Sequence, residues 1–123
     1  MNRPLVLIVD GDNVVRTLKI LRPPEVERFL QRLEMATVSR DWEIIVVFDG
    51  PERFLPREEG PLVVRYSLGK TADTLIERLV YQSPDRAGVV VVTQDRAQAN
   101  VVSGFGARVW DAQRLIQEMG YNS

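Results

Sequence analysis

The chain contains no cysteine and no histidine. The first absence excludes disulfides and thiolate chemistry, the second removes the imidazole base, and together they take away the usual zinc ligands. Any catalysis must run on carboxylates, hydroxyls, amides, lysine or arginine, with a hard, oxygen-preferring metal as the natural auxiliary. Long hydrophobic runs are missing as well: none approaches the roughly 20 residues of a membrane helix. Met1-Asn2-Arg3-Pro4 opens the chain without the apolar h-region of a secretory signal. The expected location is the cytoplasm, with no membrane partner. No internal repeat or low-complexity tract interrupts the chain.

What is present is 123 residues with 45% hydrophobic content, enough for a single domain over residues 1–123 with one core. Residues 4–13, P-L-V-L-I-V-D-G-D-N, organise the rest. The apolar run 4–9 suits a strand buried on both faces, as in the middle of a parallel sheet. Asp10 falls where that strand should emerge, and in open α/β sheets ligands bind outside the carboxyl ends of strands. Two more apolar runs end alike, 44–48 on Asp49-Gly50 and 89–92 on Thr93-Gln94-Asp95. Three buried strands should thus deliver a carboxylate to one edge.

Between them the pattern switches to helical spacing. After a short helical or irregular piece over 14–21, Val26, Phe29, Leu30, Leu33 and Thr37 define an amphipathic helix over 24–39. It feeds a strand over 43–48, a polar loop to residue 61 and a shorter, edge-like strand over 62–66, interrupted by Arg65. Leu75, Ile76, Leu79 and Val80 mark a second helix over 72–82, with Thr71 as its N-cap. A strand over 88–93, a helix over 95–103, a strand over 107–110 and a helix over 111–119 complete the alternation, with Asp111 as N-cap and Gly120 as C-terminal cap. The expected fold is a three-layer α/β/α sandwich around a mostly parallel sheet of about five strands.

Asp73 and Glu77 sit at i and i+4 on one helix face, where like charges cost about 0.2–0.5 kcal/mol. A solvated acidic face is the ordinary explanation, as a turn or a cap is for each strand-end Asp taken singly. A helix starting beside the ends of the strands, however, brings Asp73 into one crevice with Asp10, Asp49 and Asp95. Packed carboxylates raise one another's pKa and call for a neutralising cation. Magnesium or manganese is the choice for oxygen donors, with Asp10, Asp49, Asp73 and Asp95 as first candidates and Glu77 and Asp12 behind them. Such a site suits phosphodiester hydrolysis by an activated water. Asn13 and Thr93 are candidates to orient water or phosphate, and Lys70 and Arg96 to contact phosphate. Setting the six acids aside leaves eleven against sixteen basic residues, fourteen of them arginine, the better bidentate phosphate reader.

The segments V-D-G-D-N (9–13), V-V-F-D-G (46–50), K-T-A-D-T-L-I-E (70–77), V-V-T-Q-D (91–95) and G-F-G-A (104–107) resemble, in family order, the NYN-domain branch of the PIN-like nucleases. The resemblance is to the YacP-like group of bacterial endoribonucleases in particular. It implies a PIN-like α/β/α sandwich, magnesium- or manganese-dependent cleavage of RNA, a site at Asp10, Asp49, Asp73 and Asp95, and Asn13 as the family's second polar position after the first strand. Relatives linked to translating ribosomes imply messenger RNA as substrate and the ribosome as partner. Two departures stand out: Asp12 replaces a common aromatic residue, and the sequence stops soon after the last helix, which puts ribosome docking in doubt.

Two other readings compete. A receiver-type phosphoacceptor domain would use Asp10, Asp12, Asp49 and Thr93, but it wants a lysine after the fifth strand and leaves Asp73, Glu77 and Asp95 without a role. A non-catalytic RNA-binding module of the same fold would not need all four acids. Trp42 and Trp110 read as core residues rather than base-stacking platforms, so arginines would meet RNA through its backbone. A homo-oligomer is compatible with the sequence.

Overall fold

The computed structural model describes residues 5–120; the expected strand start at Pro4 lies outside them. Five strands, β1 (Leu5–Asp10), β2 (Trp42–Phe48), β3 (Leu62–Tyr66), β4 (Val89–Val92) and β5 (Arg108–Trp110), form one sheet in the order β3-β2-β1-β4-β5. Every pairing is parallel, so all five carboxyl ends share an edge. The continuous apolar runs account for this: β4 is buried throughout, as a strand covered on both faces must be. Ordinary alternation appears in β3, where Arg65 is exposed at the sheet's margin.

Helices α1 (Gly11–Thr17), α2 (Pro23–Ser39) and α5 (Ala112–Glu118) cover one face. Helices α3 (Ala72–Gln82) and α4 (Arg96–Gly104) cover the other. Leu7, Val9, Ile44, Val46 and Phe48 pack toward α2 and α1, while Ile8, Val47, Val89 and Val91 pack toward α3 and α4. This is period-two alternation serving two cores at once. Trp42 and Trp110 are buried, edge to face at 5.9 Å, as core residues.

Two local expectations change. Helix α1 begins at Gly11 instead of residue 14, so Gly11-Asp12-Asn13 is the first turn of a helix, with Asp10 at its N-cap position. Gly11 is there for space: a Cβ would lie 2.6 Å from the Phe48 ring. A single 3-10 turn, Arg86–Gly88, shortens β4 from its start. The caps are as expected: Asp111 caps α5 by accepting the Arg114 N–H and Gly120 adopts φ +87° beyond that helix, while Asp95 caps α4 by accepting the Ala97 and Gln98 N–H groups.

No helix connects β2 to β3. The loop between them folds back over α2, where the Leu55 N–H reaches Glu27 (2.8 Å) and the nearly buried Arg57 guanidinium lies between Glu27 (2.9 Å) and Glu34 (3.4 Å). The Arg57 carbonyl accepts the Val64 N–H (2.8 Å), covering part of a sheet edge that would otherwise be free to pair.

Candidate active site

The chain leaves β1 toward β2 on one side, while β4, reached by the crossover through α3, lies on the other. The crevice between the carboxyl ends of β1 and β4 is therefore the topological switch point, the usual ligand site of such sheets. Asp10 ends β1 there, and Thr93 follows β4; the Thr93 hydroxyl donates to Asp10 Oδ2 (3.3 Å) and accepts the Asp95 N–H (3.1 Å). Asn13 Oδ1 accepts the Gln94 N–H (2.8 Å), and Gln94 Oε1 accepts the Ala112 N–H (2.8 Å). These bonds clamp the crevice walls, and Asn13 keeps its Nδ2 as a donor.

Asp49 follows the last residue of β2, and its Oδ1 accepts the Ala72 N–H (2.7 Å), fastening the first turn of α3 to the sheet edge. The helix dipole favours a carboxylate at that end. Asp73 follows immediately and is half-buried. Its Oδ1 accepts Gln98 Nε2 (2.8 Å) from α4, while Asp95 Oδ1 accepts the Ala97 (2.9 Å) and Gln98 (3.2 Å) N–H groups. One residue, Gln98, thus bonds both acids, by side chain and by backbone. The Oδ2 atoms of Asp49, Asp73 and Asp95 accept from no donor among the described residues.

Burial pushes the Asp10 pKa up to about 6; Asp73 and, more weakly, Asp12 act in the same direction, opposed by the Asn13 N–H and the Thr93 hydroxyl. Asp73 is also raised, first by burial, then by Asp95 and Asp49. The four aspartates therefore occupy one electrostatic neighbourhood, and none forms an ion pair among the described residues. Asp12 stands apart: it accepts the Asp49 N–H (2.6 Å) and pairs with Arg53 (3.1 Å), whose guanidinium lies over Phe48 and Phe54. That engagement braces the end of β2. Among the described residues the Glu77 carboxylate, one turn along α3 and half-buried, has no hydrogen-bond or ion-pair partner, and the exposed Lys70 and Arg96 side chains are unpaired.

An all-oxygen, net-negative donor set suits a hard divalent cation. Among the described residues no three carboxylates stand close enough to ligate one ion together. The fit is that of magnesium-type binding, in which one or two carboxylates share the ion with water and substrate phosphate.

Sequence reasoning missed Gln98. The signal was present: Asp95-Arg96-Ala97-Gln98 is a capping-box spacing, and Gln98 shares the buried stripe of α4 with Val102. Because Thr93 already satisfies the Asp95 N–H, the Gln98 amide is released toward Asp73.

Fold and crevice together define a doubly wound parallel α/β domain with an acidic switch-point site. The family model described as the YacP-like NYN domain matches residues 7–123, and the chain belongs to that family, a nuclease-type domain. Among solved structures it is similar to Rae1 (YacP) from Bacillus subtilis, with a TM-score of 0.77 and 24% identity over 97% of this chain and 74% of that one. The W164L mutant of that protein gives a TM-score of 0.75 and 24% identity over 93% and 73%. No curated protein matches the chain. The topology also removes the receiver reading, whose strand order is 2-1-3-4-5 where this sheet runs 3-2-1-4-5. Among the described residues no helix is long and apolar enough to cross a membrane.

Proposed function

We propose that the chain is a metal-dependent endoribonuclease acting in the cytoplasm. The observation that carries this reading is the convergence of Asp10, Asp49, Asp73 and Asp95 at the switch point with no basic residue among the described residues paired to any of them. Asp10 and Asp73, whose proton affinities are raised by burial and by neighbouring carboxylates, are the residues that would hold Mg2+ or Mn2+, with the free oxygens of Asp49 and Asp95 available to its waters. Glu77 is the reserve ligand. When bound, such an ion polarises a phosphoryl oxygen and acidifies a water.

The chain's own groups do the rest. Thr93 holds the Asp10 carboxylate in place, and Gln98 holds Asp73. A free carboxylate oxygen can accept the proton of an attacking water, and Asn13 Nδ2, Lys70 and Arg96 offer donors to the phosphate. The family resemblance extends the proposal to messenger RNA as substrate, with the ribosome as the surface that presents it.

The test is a manganese titration of wild type and Asp73→Asn, followed by RNA cleavage with both. The reading expects clearly weaker binding by Asp73→Asn and no cleavage. Equal binding and equal cleavage overturn it; absence of binding by wild type leaves a non-catalytic RNA-binding module.

A further inference from the structure

Helix α3 lies over β1 and β2, and no residue of β3 joins the core on that face. The edge strand is therefore uncovered there, and Arg65 stands on the uncovered side. Between β3 and α3 runs a groove of about 390 Å³ walled by Arg65, Tyr66, Ser67, Lys70, Leu75 and Arg78. Leu75 and Arg78 share a helix face at i and i+3, which turns Arg78 toward the strand. Arg65, Lys70 and Arg78 make no ion pair or side-chain hydrogen bond among the described residues. Of the arginines elsewhere, Arg22, Arg53, Arg57, Arg86 and Arg114 are engaged by carboxylates, carbonyls or rings, whereas Arg16, Arg28, Arg40, Arg96 and Arg108 are, like the groove cations, without an ion pair or side-chain hydrogen bond among the described residues.

Three unpaired cations lining one concavity repel each other and focus a positive potential that attracts anions. The groove opens on the acidic crevice through Ser67, whose Oγ accepts the Gly50 N–H (3.0 Å) and reaches Asp49 (3.5 Å). Its aromatic residue is already occupied: the Tyr66 ring stacks on Phe48, and its hydroxyl accepts the Phe54 N–H. With no ring free to stack a base, the groove suits the backbone of a strand and not its sequence.

We infer that this groove binds consecutive phosphates of an RNA single strand and leads that strand to the aspartates. The path to a scissile bond rests on the nuclease reading; binding in the groove does not.

The experiment measures binding of a labelled oligouridylate of about ten nucleotides in EDTA, where no cleavage occurs, as a function of salt. The proteins are wild type, Arg65→Ala/Arg78→Ala, and a charge-matched control, Arg40→Ala/Arg108→Ala, whose arginines precede β2 and open β5 at the opposite sheet edge. Two lost phosphate contacts lower the logarithmic salt slope by about 1.4. On passing from roughly 200 to roughly 50 mM salt, wild type should then gain about sevenfold more affinity than the groove variant. The control should follow wild type. Equal slopes for groove and control variants overturn the inference, as does wild-type binding that is insensitive to salt. A dinucleotide binding as tightly as the long strand overturns the strand path in favour of a single-phosphate pocket. Loss of slope in the groove variant without any metal-dependent cleavage by wild type would retain the groove and reject the nuclease. Cleavage that depends on Asp73 but is unchanged in the groove variant would do the reverse.

Discussion

Replacing Asp10 by asparagine should stabilise the fold while removing the proposed activity. Asp10 is 6% exposed, and its pKa is pushed from 3.8 to about 6, chiefly by burial. At about 1.4 kcal/mol per pH unit, keeping this carboxylate charged costs the folded chain about 3 kcal/mol. The folded state binds the proton more tightly, so the stability conferred by a protonated Asp10 is fully present below pH 3.8 and is lost as pH rises through about 6. Asparagine carries no charge at any of these pH values. Its Oδ1 still accepts from Thr93 Oγ1, whereas its Nδ2 gains no acceptor, a cost of about 1 kcal/mol. The expected result is a variant about 2 kcal/mol more stable than wild type near pH 8, an advantage that shrinks steadily toward pH 5. Urea unfolding of both proteins in EDTA across that range measures it. A variant that is destabilised near pH 8, or a difference that does not move with pH, would refute the account of a strained, buried carboxylate. Functional sites commonly trade stability for activity in this way.

Two further outcomes follow from the same geometry. Gln98→Met keeps the buried volume and removes the amide that holds Asp73, so manganese affinity should fall by about ten- to a hundredfold with little change in urea midpoint; unchanged affinity in calorimetry would make Gln98 a packing residue only. Gly11→Ala places a methyl against the Phe48 ring and should cost about 1–3 kcal/mol by overpacking, measured by thermal unfolding, although alanine is the better helix former at that position.

Strand identity, strand direction and the helix stripes were legible in the sequence because each is a local periodic property. Runs buried on both faces announce central parallel strands, and Val26, Phe29, Leu30 and Leu33 announce the inward side of α2. Asp10, Asp49 and Asp95 were legible for the related reason that a parallel sheet sends all its carboxyl ends to one edge, and Asp73 because the helix that carries it starts beside those ends. The start of α1 was not, since Asp-Gly is a turn signal in any sequence and only the distant Phe48 ring shows why Gly11 must be glycine within a helix.

The sequence by itself determined a parallel α/β domain, its acidic edge and chemistry without histidine or cysteine. Only the tertiary structure decided strand order, and with it that Asp10 and Thr93 meet across the switch point, 83 residues apart in sequence. It also turned Asp12 away toward Arg53, joined Gln98 to Asp73, and left the α3 face of β3 open to gather Arg65, Lys70 and Arg78. Each of these depends on which elements become neighbours, and that is settled by packing two apolar faces of one sheet together, a global condition that no local pattern contains.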